Sequence, residues 1–276
     1  MATLRDVVRE YWSHRPMELA AALSYYTLLS LAPLVLIAVA VAGVIFERAT
    51  VEKRIAAETR DLIGSSGGEV VHAILHKARD EDSELFSVSI GAVVLLVGAT
   101  TVFVQLQDSL NRIWKVEPQP HASVVWSFMK ERLLSLAMVL AVGFLLLVSL
   151  LVSAGLSATA DSALGTLGDG TLALYLAHSL VSLGVITLLF ALIFKLLPDA
   201  PVAWRDVWFG AAITSVLFGL GKHFIGLYLG RAGIGSAYGA AGSLVVVIVW
   251  VYYASMIVLF GATLTYVRSR GPQLTE

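Results

Sequence analysis

Long stretches of this chain contain no Asp, Glu, Lys or Arg: 28–46, 85–107, 133–160, 171–194 and 232–267. Within them apolar residues run on without the strict alternation of barrel strands, so they predict helices that satisfy their own backbone hydrogen bonds. About 20 apolar residues span a hydrocarbon core of roughly 30 Å. The pattern therefore predicts an all-α polytopic membrane protein, a single domain over 1–276, with six transmembrane helices near 22–46, 85–107, 133–156, 172–194, 207–229 and 240–267. Before the first span, Leu4, Val7, Val8, Tyr11 and Trp12 recur at helical spacing, with Arg5, Asp6, Arg9 and Glu10 between them. Residues 1–15 thus predict an amphipathic helix lying in the membrane interface. Between the first two spans, 47–84 carries nine acids and six bases. It predicts two short helices, 47–63 and 69–80, hinged at Ser65-Ser66-Gly67-Gly68 and forming a small periplasmic cap.

Composition sharpens this picture. Of 276 residues, 58% are hydrophobic and 14% charged, against about a quarter charged in ordinary soluble domains. A net charge of −1 gives no basic field for nucleic acid. The absence of cysteine excludes disulfides, thiol catalysis and thiolate metal sites. Ala38 and Ala40 mimic a signal-peptidase site, but the apolar run is too long for a signal peptide and its leader holds Asp6, Glu10 and Glu18, so a retained helix is expected. Eleven Lys and Arg fall in the N-terminus, the 108–132 and 195–206 loops and the C-terminus, against none in 157–171 and one in 230–239. That asymmetry predicts both termini in the cytoplasm. Trp114, Trp126, Trp204 and Trp208 flank spans on the same side, as an aromatic belt does.

Several residue groups could carry chemistry. Thr101, Gln105, Asp108 and Arg112 share one helical face, and with Asn111 they form either a polar mouth to a pathway or a clamp on the cytoplasmic loop. Pro33 frees the carbonyl of Leu29 and predicts a kink or break. Tyr25, Tyr26 and Ser30 precede it, a polar cluster that suits a substrate site or a hydrogen-bonded helix start. Tyr252 and Tyr253 lie in the middle of the last span, where a hydroxyl needs a partner, so at least one ring should face the bundle interior or a wet cavity. Arg231 and Tyr238 belong to the Gly-rich run 230–239, which serves either as an anion nest or as a close-packed turn. His72 and His76, four apart in the cap, are weak candidates for a metal clamp, a solvated helix face being the alternative. Lys222 lies about 22 Å along a span that begins near Val207. It either snorkels to the interface or, with His223 and Tyr228, attracts an anionic group in a cavity. Ser89–Leu96 also resembles Ser182–Leu189, each leading into a proline-containing loop, as an internal repeat would.

The run Ala22-Leu23-Ser24-Tyr25-Tyr26-Thr27-Leu28-Leu29-Ser30-Leu31-Ala32-Pro33-Leu34 resembles the first-helix signature of the YihY/BrkB membrane proteins. Further resemblances to family blocks are Asp108-Ser109-Leu110-Asn111-Arg112-Ile113-Trp114, Gly221-Lys222 through Tyr228, and Val249-Trp250-Val251-Tyr252-Tyr253 through Gly261-Ala262. They occur in the right order over nearly the whole chain. The resemblance implies a bacterial inner-membrane protein. It departs from the family at Gly219 and Thr263, where the family commonly has glutamate, so proton coupling through those carboxylates is not expected here. The family has also been labelled a ribonuclease, but this chain has no H-x-H-x-D-H or H-E-x-x-H metal motif and no basic groove, and Gly221-Lys222 is not part of a phosphate loop.

Two functions follow as expectations. One is a flippase-like translocator of an amphipathic anionic molecule, an envelope lipid or related metabolite. The other is a non-transporting scaffold that binds lipid or a protein through its cap. No nucleophile–base or metal constellation assembles, so no enzyme and no cofactor are expected. The bilayer is the expected partner, with anionic lipids and a homo-oligomer compatible and nucleic acid excluded.

Overall fold

The computed structural model describes residues 4–43, 47–63, 65–79, 85–116, 170–231 and 241–270. Every regular element among them is helical: α1 (Leu4–Ser13), α2 (Pro16–Ala42), α3 (Arg48–Ile63), α4 (Ser65–Arg79), α5 (Leu85–Ile113), α6 (Gly170–Leu196), α7 (Trp204–Arg231) and α8 (Gly242–Arg270). The expected span 133–156 lies outside the described residues. The helices α2, α5, α6, α7 and α8 are each 27 to 29 residues long, or roughly 40 Å at 1.5 Å per residue. By length and apolarity, two stretches among the described residues could cross a bilayer: Pro16–Leu36 and Gly242–Arg270.

Local chemistry sets the helix ends. Pro16 opens α2 at the first helical position, where a missing N–H removes no hydrogen bond, directly after Arg15 in the left-handed region (φ 52°). Asp206 in the first turn of α7 and Arg268 and Arg270 in the last turn of α8 complement the helix dipoles. The helices α3 and α4 correct one expectation: Ser65-Ser66-Gly67-Gly68 is not a hinge but the first turn of α4. Gly68 fits there because Arg60 of α3 packs over it, 3.3 Å from where a Cβ would be.

Of the kink or break expected at Pro33, the break does not occur. The helix α2 runs through it without interruption. The proline forfeits its N–H to the Leu29 carbonyl, but its ring seats on Gly98 of α5, where a Cβ would lie only 2.7 Å from Cγ. Three residues earlier, Ser30 Oγ donates to the Gly98 carbonyl at 2.5 Å. The α2–α5 contact therefore holds the proline inside a continuous helix.

In the bundle α2 packs against α5 and α8, α7 lies between α6 and α8, and α3 and α4 pair with each other. The main core joins Val7 and Tyr11 of α1, Leu23 of α2, Leu110 and Trp114 around the end of α5, Phe194 of α6, and Leu259 and Tyr266 of α8. It gathers α1, the end of α5, the α6–α7 loop and the last turn of α8 at one end of the bundle. A second cluster of Val35, Val39, Val51, Val71 and Leu75 seats α3 and α4 on the far half of α2, roughly 28 Å along the helix from Pro16.

Candidate functional site

The polar cluster of α2 divides between two surfaces. Ser30 and Pro33 face α5, whereas Ala21, Ser24, Tyr25 and Leu28 recur at helical spacing along one wall of a groove. Ile248, Val249 and Tyr252 of α8 form the opposite wall, and the volume is about 270 Å³. Ser24 spends its hydroxyl on the Ala20 carbonyl at 2.7 Å, so it adds no free polar group. The groove is apolar throughout, with Tyr25 and Tyr252 contributing ring carbon to its walls. Tyr25 is 59% exposed at the rim, its ring edge-on to Tyr26 at 5.5 Å. The neighbouring aromatic, Tyr253, turns the other way and lies on Gly221 of α7, where no side chain could fit. The two mid-span tyrosines therefore serve different interfaces. Such a space accepts an apolar chain; its lining is almost wholly apolar and holds no charge.

The groove lies close to α1. Tyr11 donates its hydroxyl to the Met256 carbonyl at 3.1 Å, one turn beyond Tyr252, and its ring meets Phe260 edge-on at 5.5 Å. Burial pushes the Tyr11 phenol up to about 12, and nearby Tyr252 adds to the effect.

At the same end of the bundle, Asn111 Nδ2 donates to Asp199 Oδ2 at 3.0 Å, and the Asp199 N–H donates back to Asn111 Oδ1 at 2.8 Å. Gln107, buried beneath them, donates to the same carboxylate oxygen at 3.1 Å. Asn111 thus ties α5 to the α6–α7 loop, and Gln107 and Asp199 are partners that the sequence pattern does not single out. Thr101 and Gln105 are half-buried, while Asp108 and Arg112 are exposed. Lys195 donates to the Val202 carbonyl at 2.6 Å and lies over Trp204, closing the same loop. His72 and His76 are exposed with ring centroids 6.3 Å apart. No group of three or more His, Cys, Asp or Glu able to hold a metal occurs among the described residues. Lys222, His223, Tyr228 and Arg231 lie on the α7 backbone, but their side chains, like Tyr238 as a whole, fall outside the described residues.

Relatives put this architecture in context. The chain is 32% identical over 180 residues to a UPF0761 membrane protein of Verminephrobacter eiseniae, covering 63% of this chain and 40% of that one. It is 30% identical over 249 residues to a UPF0761 membrane protein of Pseudomonas aeruginosa, covering 89% and 57%. A Neisseria meningitidis UPF0761 membrane protein is 26% identical over 266 residues, covering 94% and 61%. The matched part of the chain thus spans 40% to 61% of the length of these curated relatives. No solved structure matches it. The family profile described as virulence factor BrkB matches residues 7–275, from the docked helix α1 past the last turn of α8. With long apolar helices and relatives named membrane proteins, the chain is a membrane protein of the BrkB virulence-factor family.

Proposed function

We propose that the chain is a multi-pass inner-membrane protein that translocates an amphipathic anionic molecule in the manner of a flippase, with both termini cytoplasmic and α3–α4 as a periplasmic cap. The observation that carries this reading is the apolar groove between α2 and α8. Its walls suit an acyl chain, and the Tyr25 phenol at the exposed rim can orient the polar part of the same molecule. Lys222, roughly 27 Å along α7 from Trp204, is the residue assigned to the anionic headgroup further across the membrane. A charge at such depth costs at least ~2.5–3.5 kcal/mol unless paired or hydrated.

The test is reconstitution into proteoliposomes with a fluorescent phosphatidylglycerol whose exposure to an impermeant quencher reports leaflet exchange. Ala21→Phe, placed on the groove wall, should fill the groove and slow exchange, and Lys222→Gln should slow it while preserving shape and polarity. Parental exchange in both folded variants would rule the reading out.

The interlock of α7 with α8 favours a second reading, a non-transporting lipid-binding scaffold. Thr214 fills the space beside Gly261, and Thr265 the space beside Gly210, which makes that interface resistant to sliding. Lipid bound in the groove without leaflet exchange would select the scaffold.

A further inference from the structure

A different feature of the bundle points to a ligand. Where α5 ends beside α8, two buried donors make no well-formed hydrogen bond among the described residues: the Trp114 indole Nε1 and the Tyr266 hydroxyl. Trp114 is 7% exposed and Tyr266 1%, and their rings meet edge-on at 6.4 Å. A buried donor left unmade is costly, because folding removes its water and returns nothing. Trp114 can only donate, so what would satisfy it is an acceptor.

Cations surround the same ring. Lys115 Nζ lies 5.6 Å from the Tyr266 centroid and the Arg270 guanidinium 4.7 Å. Glu10 of α1 is also nearby, its Oε1 2.8 Å from Lys115 Nζ. Hydrogen bonding to Glu10 raises the Lys115 pKa, and the Tyr266 oxygen adds to the effect, although it makes no well-formed hydrogen bond. Lys115 and Arg270 thus flank the two unmet donors.

The backbone adds an independent sign. The Val116 N–H donates to the Asn111 carbonyl at 3.0 Å and the Lys115 N–H to Arg112 at 3.2 Å. This helix end puts Lys115 in the left-handed region, φ 53°, the place glycine usually takes. A lysine there carries backbone strain of the sort that clusters at binding sites, and it holds its ammonium near Tyr266.

We propose that Trp114, Lys115, Tyr266 and Arg270 form a binding site for a phosphate-type anion at the end of the bundle where α1, α5 and α8 meet. Anion oxygens accept from the Tyr266 hydroxyl and the Trp114 indole, and Lys115 and Arg270 balance the charge. Lys115 is about half exposed and Arg270 exposed, so these two side chains can swing aside to admit the ligand. The site is separate from the α2–α8 groove and does not rest on the transport reading. Its anion comes either from a lipid headgroup or from a free phosphate.

Unmet donors give the site a distinctive test. The full chain in neutral detergent is titrated with phosphatidylglycerol, phosphatidylcholine or inorganic phosphate, following the thermal midpoint and retained lipid by native mass spectrometry. Tyr266→Phe removes a donor that lacks a partner without ligand, so it should leave the ligand-free midpoint unchanged or raise it, yet weaken phosphatidylglycerol binding at least fivefold. Lys115→Gly relieves the backbone strain and removes a cation, so it should fold at least as well and bind about tenfold more weakly. Arg270→Gln, on the surface, should also weaken binding. Stabilisation by phosphatidylglycerol alone identifies a lipid headgroup, and stabilisation by phosphate as well identifies a free anion as sufficient. Equal responses to phosphatidylglycerol and phosphatidylcholine, or parental binding in folded Lys115→Gly and Arg270→Gln, would overturn the proposal.

Discussion

Thr214 of α7 occupies the space that a side chain on Gly261 of α8 would need, and Thr265 of α8 does the same at Gly210 of α7. Each threonine lies four residues after the glycine of its own helix, so two Gly-x-x-x-Thr segments interlock in antiparallel fashion. Thr214 donates to the Gly210 carbonyl at 2.7 Å and Thr265 to the Gly261 carbonyl at 2.9 Å. These back-bonds leave neither hydroxyl unmet in an apolar surrounding. Small residues that let backbones approach are the main attraction between helices in lipid, where no hydrophobic effect drives them together.

This interface yields the first prediction. Gly261→Ala should force Thr214 and the backbone apart and destabilise the bundle by ~1–3 kcal/mol, as overpacking does. Gly219 on the same helix as Gly210 has nothing within 4 Å of its Cβ position. Gly219→Ala should instead be neutral or stabilising by up to ~1 kcal/mol through helix propensity. Thermal unfolding in one detergent compares the two directly, and equal effects would refute the interlock.

The second prediction concerns Asn111. It exchanges two hydrogen bonds with Asp199, one of them to a carboxylate, while buried Gln107 reaches the same oxygen. Asn111→Ala should cost ~1–2 kcal/mol, moderated because the pair is solvent-exposed. Gln107→Ala also removes a donor, but it leaves the mutual pair intact and should cost less. Faster proteolysis within 197–203 in the Asn111 variant, with the rest of the bundle unchanged, would locate the loss at the loop.

What the sequence made legible follows from periodicity. Apolar runs announced α6, α7 and α8 to within about three residues, because a long helix in lipid has no alternative way to satisfy its backbone; α2 begins six residues before the expected 22. The end of α5 at Ile113 was less visible: the apolar run stops at Gln107, and polar Asp108 and Asn111 carry the helix on to meet Asp199. The Pro33 break failed for a related reason. The ring's partner, Gly98, lies 65 positions away, and no local pattern states that an approach will be filled. The groove was half legible. Tyr25 and Tyr252 stood out as polar rings in apolar runs, but their sharing of one space, and the turning of Tyr253 toward Gly221, depend on how α2, α7 and α8 are rotated. Trp114 passed as a belt aromatic and Tyr266 was not singled out, since an unmet donor exists only once neighbours are in place.

A third prediction uses pH. Burial, with help from Tyr252, holds the Tyr11 phenol up at about 12, so the docked form of α1 binds its proton more tightly than the free form. The resulting stabilisation is fully present below pH ~10, the ordinary tyrosine value, and is lost as pH rises through about 12. Tyrosinate absorbance should show a late-titrating component that disappears in Tyr11→Phe. If every tyrosine titrates near 10 in the folded protein, Tyr11 is not buried against Met256.

The fourth prediction is the topology. Lys115 pairs with Glu10, Asn111 with Asp199, and Arg268 of α8 with Asp206 of α7 at 3.3 Å. These contacts place α1, the end of α5, the α6–α7 loop and the last turn of α8 on one side. The α3–α4 pair instead packs on Val35 and Val39, at the other end of α2. Lys and Arg are abundant in the loops of the first side, so that side should be cytoplasmic. With no native cysteine, single replacements report position cleanly. Cysteine at Ser66 or Ser162 should react with an impermeant thiol reagent added to whole cells, and cysteine at Gln119 should react only after the inner membrane is opened. Labelling of Gln119 but not Ser66 in intact cells would invert the protein and put the α3–α4 pair in the cytoplasm. Labelling of both would break the link between α5 and α1 that the Lys115–Glu10 pair requires.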